Sequence, residues 1–368
     1  MPFVDLSPAS DAVREQVLQR VGELLDRGDF INGAAVEEFE QAFAEYCGVS
    51  HCVGMSSGLD ALRLGLTATG LEDGAGVVVP AATFAATFEA VLQAGGVPRV
   101  VDVGDEDYSV DAATLARAGT DGCTHLMPVH LYGQMSDMQA LGRLAESRGL
   151  AIVEDACQAH GASRDGIRPG EHARAAAFSF YPAKNLGAMG DAGALVTADD
   201  DAAALARALR SHGETSKYHH VHVGYTARLD TVQAMVLVEK LPYLDDWNEA
   251  RRRAAGYYTR ELAGLDGVAI PQVPEGSDPV WHLYVIRVAD PVALGAFLSD
   301  RSIQTGRHYP EPPHLAPAYR TLGYAPGDFP IAEALAREGL SLPLFPGITE
   351  AQLEWVCRSI ADYAASAD

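Results

Sequence analysis

Three short stretches of this chain carry residues whose types and spacing suit chemistry. Lys184 stands in Phe178-Ser179-Phe180-Tyr181-Pro182-Ala183-Lys184-Asn185-Leu186-Gly187, between an aromatic segment that reads as a strand and a glycine-rich turn. Partial burial there would lower the lysine pKa and make its amine a usable nucleophile; on an open surface it would be an ordinary solvated charge. Asp155 belongs to Glu154-Asp155-Ala156-Cys157-Gln158-Ala159-His160, directly after the apolar run Ala151-Ile152-Val153. A buried acid is costly unless it is paired or working. It could keep a proton on a pyridinium nitrogen so that the ring absorbs electrons, or it could simply cap a helix. Glu154 alternates to the opposite side and reads as structural, and His160 taken alone reads as a core histidine. In Ser56-Ser57-Gly58-Leu59-Asp60, the serine and Asp60 have the spacing of a helix capping box. The open N–H groups from Gly58 to Asp60 could also hold a phosphate, with the Asp60 carboxylate turned away from it and the Ser179 hydroxyl added to it. The run Gly187, Gly190, Gly193 lacks a following Gly-Lys-Ser/Thr, so it reads as a turn into a strand at Ala194 to Thr197.

These residues need a scaffold, and the hydrophobic pattern supplies one. Val13, Val17, Val21, Leu24 and Leu25 recur at helical spacing and stop near Gly28. From about Val53 onward, apolar runs at Val77 to Val79, Val100-Val101, Leu126 to Val129 and Ala151 to Val153 alternate with amphipathic stretches such as Ser136 to Ser147. That alternation predicts an α/β fold with a mostly parallel mixed sheet between helices. Ligands of such sheets bind beyond the carboxyl ends of the strands, which is where Asp155 and Gln158 fall. The pattern shifts near Pro242, followed by a charged helix from Trp247 to Arg260, the proline-rich Tyr309 to Pro313 and an amphipathic helix from Thr349. We therefore expect a large domain over 1–240 and a smaller C-terminal α+β domain over 241–368.

The chain has 368 residues and a net charge of −23, from 27 basic against 50 acidic side chains. That balance argues against a general nucleic-acid or anionic-membrane partner. No apolar run is long enough to span a bilayer and the first residues lack the form of a secretory signal, so a cytoplasmic location is expected. Cys47, Cys52, Cys123, Cys157 and Cys357 are scattered without a CxxC pair, which disfavours a disulfide framework or a zinc site. His219, His220 and His222 have no Cys or acidic residue at ligand spacing and read as a solvated loop, so no metal is expected.

The order of these blocks resembles the DegT/DnrJ-type sugar aminotransferases, enzymes of the pyridoxal-phosphate (PLP) transferase fold type I. The likeness runs from Gly33 to Pro343 and is most specific at Ser57-Gly58, Pro80-Ala81-Ala82-Thr83-Phe84, Pro128 to Gln134, Glu154 to Ala162, and Phe178 to Asn185. The resemblance implies that Lys184 is the Schiff-base lysine and that Asp155 binds the pyridine nitrogen of PLP. It places Gln158 near the phenolic oxygen, Phe84 on the ring, and Ser179 with the backbone of Gly58, Leu59 and Asp60 around the phosphate. It further implies a homodimer with shared sites, giving Tyr225 to Arg228 a role in trans. Where this chain has Thr226 the family usually has an asparagine that reaches the partner's phosphate. His160, Tyr181, Tyr225, Arg228, His308 and Tyr309 are the candidates for the substrate; aromatic core packing explains several of them equally well.

Gly58 to Leu62, Lys184 to Asp191, Ala227 to Thr231 and His308-Tyr309-Pro310 resemble the subgroup that makes 3-amino deoxysugars from 3-keto nucleotide sugars. The expected substrates are a dTDP-linked keto sugar and glutamate, in a ping-pong transamination; a 4-keto sugar or a cyclitol is the alternative. Dehydratases of the same scaffold have histidine at the position of Lys184, and a non-catalytic sugar-binding regulator would not need both Lys184 and Asp155. A nicotinamide-dependent enzyme is disfavoured because no GxGxxG follows the first strand.

Overall fold

The computed structural model describes residues 1–117 and 119–366. A seven-stranded sheet forms its centre: β1 (His51–Met55), β2 (Gly76–Pro80), β3 (Val97–Val101), β4 (Cys123–Leu126), β5 (Ala151–Asp155), β6 (Ala175–Ser179) and β7 (Gly193–Thr197). Their order across the sheet is β1-β7-β6-β5-β4-β2-β3. β7 runs antiparallel to both its neighbours, β1 and β6, and every other pairing is parallel. The carboxyl ends of β1, β5 and β6 therefore share one edge of the sheet.

The strands are apolar throughout because both faces are covered. Val78, Ile152, Ala176, Phe178, Ala194 and Val196 enter one core. Their alternates Val77, Val79, Val153, Ala175, Ala177 and Leu195 enter the other. The first core receives the helices Ala34–Cys47 and Met138–Arg148; the second receives Gly58–Ala68 and Ala85–Gln93. The amino-terminal helix Arg14–Arg27 stops at Gly28, whose φ of 74° is a left-handed C-cap.

The run Leu126 to Val129 is only partly strand. β4 ends at Leu126, and Val129 contributes an isolated bridge to Asp155. Pro128 lies between them and has no N–H for the ladder, although its carbonyl accepts from Asp155 N at 2.9 Å. The histidine run also differs from expectation. His219–His220 pairs with Glu214–Ser216 as a short, exposed two-stranded ribbon rather than a loop. Among the described residues no group of His, Cys, Asp and Glu is arranged to hold a metal, and no helix is long and apolar enough to cross a membrane.

A second, three-stranded antiparallel sheet joins Val268–Ala269, Tyr284–Val288 and Gly339–Leu342. The helices Leu244–Leu262, Pro291–Asp300 and Glu350–Ser366 cover it with Tyr258, Leu294, Leu298, Val356 and Ile360. The C-terminal residues nonetheless serve both cores. Helix Pro330–Glu338 buries Ala332 and Leu335 in the second core of the main sheet, together with Val79 and Phe88. Its first turn is capped by Asp102, which accepts from Ile331 N and Ala332 N at 3.0 Å each.

Glu154 shows how the sheet sorts the two acids at the end of β5. Its side chain points into the opposite core from Asp155 and is fully buried with His130. Ser136 N donates to His130 Nδ1 at 3.2 Å, so the ring proton is on Nε2, which donates to Glu154 Oε2 at 2.5 Å. The other carboxylate oxygen accepts from Gly170 N at 2.9 Å. Glu154→Ala would orphan both donors, at about 1–3 kcal/mol each. We expect a matching fall in urea-unfolding free energy, whereas Glu154→Gln, which still accepts one bond, should lose less.

Candidate active site

Beyond the carboxyl ends of β1, β5 and β6 lies a cavity of about 400 Å³, within the usual size of a small-molecule site. Asp155 reaches it as the last residue of β5. Its side chain is buried and held on both oxygens: Thr87 Oγ1 donates to Oδ2 at 2.8 Å, and Cys157 N donates to Oδ1 at 3.2 Å. Thr87 is itself set by Thr83, whose hydroxyl lies 2.6 Å away. Two fixed donors keep the carboxylate aimed.

Lys184 enters from the β6–β7 connection. Its side chain is half-buried at the cavity wall. Burial pushes the ammonium pKa down, while the nearby Cys157 and Asp155 pull it back up. The loop is tied down at several points. Lys184 N donates to Tyr181 O at 2.8 Å. Asn185 Nδ2 donates to Val280 O and to Asn248 Oδ1, both at 2.8 Å. Gly187 is needed because a Cβ there would overlap the Pro182 carbonyl, and its own carbonyl accepts from the buried Lys240 Nζ at 2.8 Å. Lys184, Lys217 and Lys240 are the chain's only lysines; one is on this loop and another, at the end of the helix Thr231–Lys240, is bonded to it.

The third wall is the start of helix Gly58–Ala68. Ser57 is the N-cap, its hydroxyl accepting from Asp60 N at 3.1 Å. That bond occupies one of the three backbone donors expected around a phosphate and leaves Gly58 and Leu59 at the open end of the helix. The carboxylate half of the expected capping box is not formed. Asp60 turns to the Ser56 hydroxyl and to Arg63, which takes its charge away from the cavity. Gly58 has no room for a side chain, since a Cβ would lie 2.6 Å from Ser179 Cβ and 2.8 Å from Cys157 Sγ. Ser179 Oγ accepts from Tyr181 N at 3.3 Å, so its own proton is free to point outward.

Gln158 completes the floor. Its Oε1 accepts from Tyr132 N at 2.7 Å, which fixes the amide and directs Nε2 toward Tyr309 OH, 3.4 Å away. Tyr132 delivers that N–H from a left-handed conformation, φ 59°. Phe84 and Tyr309 face each other with ring centroids 5.1 Å apart. His308 also lines the cavity; its Nδ1 lies 2.8 Å from Ser341 Oγ. Burial, with the charge of Lys184, pushes its pKa down to about 4.

The structure thus gathers Gly58, Leu59, Phe84, Asp155, Gln158, Ser179, Tyr181, Lys184, His308 and Tyr309 around one cavity. His160 is corrected: it does not line it. Its ring is fully buried between Phe178 and Phe180, and Nε2 donates to Ser179 O at 2.9 Å, behind the site. Tyr225, Thr226 and Arg228 do not line this cavity either, although their segment bonds to the end of β1, where Ser56 N donates to Ala227 O at 3.1 Å. Tyr225 and Thr226 are exposed, the Thr226 hydroxyl lying 3.2 Å from His212 Nε2. Arg63 sits over the Tyr225 ring at 3.8 Å. Thr87, Cys157, Arg251 and His282 contribute to the site without having been picked out from the sequence. Thr87 had a local signal, one helical turn beyond Phe84, and Cys157 lay within the motif of Asp155 and Gln158; Arg251 and His282 had none.

A mixed sheet with a single reversed strand, carrying a lysine, a buried aspartate and a helix N-terminus at one edge, defines a PLP-type transferase of fold type I. The model of the DegT/DnrJ/EryC1/StrS aminotransferase family matches residues 11–361, and the chain belongs to that family. It is 44% identical over 98% of its length, and 98% of the relative's, to the erythromycin biosynthesis sensory transduction protein EryC1 of Saccharopolyspora erythraea. It is 42% identical over its full length, and 97% of the relative's, to a dTDP-3-amino-3,4,6-trideoxy-alpha-D-glucose transaminase of Streptomyces venezuelae. The crystal structure of S. venezuelae DesV in complex with a ketimine intermediate superposes with a TM-score of 0.96 at 42% identity, covering 99% of this chain and 98% of that one.

Thr87→Val keeps the shape of the side chain and removes the donor to Asp155. A hydrogen bond to a charged group is worth about 1.5–3 kcal/mol, so kcat/KM should fall about ten- to a hundredfold. Thr83→Val, one bond further out, should cost less in the same steady-state assay.

Proposed function

We propose that this chain transfers an amino group from an amino acid, glutamate in the first instance, to the C3 ketone of a dTDP-linked deoxysugar, using PLP held by Lys184 and Asp155. The observation that carries the reading is the meeting of Lys184, Asp155 and the open end of helix Gly58–Ala68 around one cavity. The residues suit the cofactor. Gly58, Leu59 and Ser179 offer donors to a phosphate in a cradle that a Cβ would fill, and Asp155 offers a buried, oriented carboxylate to a protonated ring nitrogen. Phe84 and Cys157 both line the space between them. PLP, when bound, supplies the electron sink that makes a proton on the amine-bearing carbon removable.

The chain's own groups do the rest. Burial keeps part of the Lys184 population in the free-base form at lower pH than an exposed lysine would reach. Its Nζ then accepts the proton from the donor's α-carbon and returns it on the cofactor side, as general base and then acid. Asp155 holds its charge in place with Thr87 and Cys157 N, and the Gln158 amide presents Nε2 to the ring's oxygen. The choice of a C3 ketone and of dTDP is supported by the full-length likeness to the S. venezuelae transaminase.

We further propose a homodimer in which Tyr225, Thr226 and Arg228 reach the partner's site. Among the described residues Arg228 Nε is buried without a partner. Tyr218, Val221 and Val223 expose apolar surface beside this segment, Val223 being 93% exposed.

Lys184→Ala should remove the visible absorption band of the covalently held cofactor and abolish turnover; turnover retained in that variant would overturn the assignment. Offering 3-keto and 4-keto nucleotide sugars to the amine-loaded enzyme tests the ketone position. The band should return with the 3-keto sugar. Return only with the 4-keto sugar would move the specificity to C4.

A further inference from the structure

Tyr132 is held in the left-handed region, φ 59°, a conformation that persists in a non-glycine residue only where its surroundings over-determine it. Its N–H, carbonyl and hydroxyl are all used, each on a different segment. The N–H donates to Gln158 Oε1 at 2.7 Å, the carbonyl accepts from Leu283 N at 3.4 Å, and the hydroxyl donates to the His308 carbonyl. Gln158, Leu283 and His308 all line the cavity, whereas Tyr132 stands behind them and is 9% exposed. Burial pushes its phenol pKa well above the ordinary value, so the hydroxyl stays a donor. The turn is tightly packed. At Gly133, φ 92°, a Cβ would lie 2.9 Å from His282 N and 3.0 Å from Gln158 O.

These bonds close a circuit. The Tyr132 N–H holds Gln158 Oε1, and Gln158 Nε2 lies 3.4 Å from Tyr309 OH. One peptide links Tyr309 to His308, whose carbonyl returns to the Tyr132 hydroxyl. We propose that Tyr132 is a positioning residue for the sugar half of the reaction, holding His308 and Tyr309 in register with Gln158. This rests on the nucleotide-sugar reading above. The donor amino acid is compact, and its reacting carbon is the one beside Lys184. A hexose carrying a diphosphate spans more of the cavity, so it leans on walls that the amino acid does not fill. The segment 308–309 is such a wall, and it is held from two sides. Ser341 Oγ lies 2.8 Å from His308 Nδ1, and Ser341 pairs with Gly306 through backbone bonds of 2.8 and 3.1 Å. Phe3 stacks on the His308 ring with centroids 5.5 Å apart. Ser341 thus fixes the segment to the smaller sheet. The Tyr132 hydroxyl fixes it to the side of the main sheet, where the Gln158 amide is set.

Tyr132→Phe removes the hydroxyl but keeps the N–H on Gln158, so it opens the circuit on the sugar side alone. The PLP-loaded enzyme is mixed in stopped flow with glutamate or with a dTDP-3-amino-3,6-dideoxyhexose. Each half-reaction is read as loss of the same visible band, with rates normalised to bound cofactor. The rate constant with the amino sugar should fall about tenfold, the size of one buried acceptor left unpaired. The loss with glutamate should be several times smaller. Tyr309→Phe and the double variant complete a mutant cycle, in which the two losses should combine to less than their product because either one opens the circuit. Ser341→Ala frees the same segment from the other side and should show the same bias toward the sugar half-reaction. Equal losses in the two half-reactions, or independent losses from Tyr132→Phe and Tyr309→Phe, would overturn the proposal. If the wild type reacts with glutamate but with no nucleotide amino sugar, the sugar reading has failed and this proposal falls with it.

Discussion

A single backbone contact holds the site together. Gly193 opens β7 directly against the Ser57 carbonyl and Gly58 N, so closely that a Cβ on Gly193 would overlap them. β7 is also the one reversed strand, wedged between β1 and β6. Reversal lets the connection from β6, residues 180–192, start and end on the same edge of the sheet, where a parallel neighbour would need a crossover to the opposite edge. The whole connection therefore lies at the carboxyl edge of β6, and Lys184 is presented there. Because β7 pairs with β1 on its other side, the lysine loop and the helix Gly58–Ala68 that follows β1 are built on one ladder. Their relative position cannot drift without breaking the sheet.

Asp155 adds the second fixed point, and the network behind the site shows what its rigidity costs. Behind the lysine loop run Asn185 to Asn248, Asn248 Nδ2 to His160 O, and His160 Nε2 to Ser179 O, each at 2.8 or 2.9 Å. This chain ties the loop to the end of β6 and to the helix Leu244–Leu262, so the two sheets meet through hydrogen bonds as well as apolar packing. The network is not fully closed. Among the described residues His160 Nδ1 and Asn185 Oδ1 are buried without partners, and burial with the Lys184 charge drives the His160 pKa down to about 3. A histidine held neutral there adds no second positive charge behind Lys184, which helps keep the lysine's own proton labile.

How far the site could be read ahead depended on distance along the chain. Lys184, Asp155 and the Ser57-Gly58 turn each follow their own strand within a few residues, so periodicity plus local motif placed them correctly at the sheet edge. The extended runs Val77 to Val79 and Ala151 to Val153 were legible for the same reason, because burial on both faces leaves no polar alternation. Thr87 was not legible as a partner of Asp155, because the bond spans a sequence separation of 68. Arg251 and His282 come from helix and loop packing between two cores, which no local pattern encodes. His160 was misplaced because its motif says only that it follows Asp155; the turn after β5 sends its ring under Ser179 instead of over the cavity. The end of β4 was misjudged for a different reason: hydrophobicity continues through Val129, but Pro128 interrupts the ladder.

The charge pattern connects these pieces to recognition. The chain carries a net −23, so an anionic substrate gains no long-range attraction from the protein as a whole. Steering of that kind is screened over about 8 Å at physiological ionic strength in any case. The positive features of the site act over much shorter distances. The open helix end at Gly58 and Leu59 attracts an anion only within about its first turn, and the Lys184 and Arg251 cations sit inside the walls. Asp60, the one acid that could spoil the helix end, is turned aside by Arg63 and Ser56. Anions are therefore distinguished after entry, by which donors they can satisfy at once. A fold that fixes those donors on one ladder selects by geometry what its overall charge would otherwise repel.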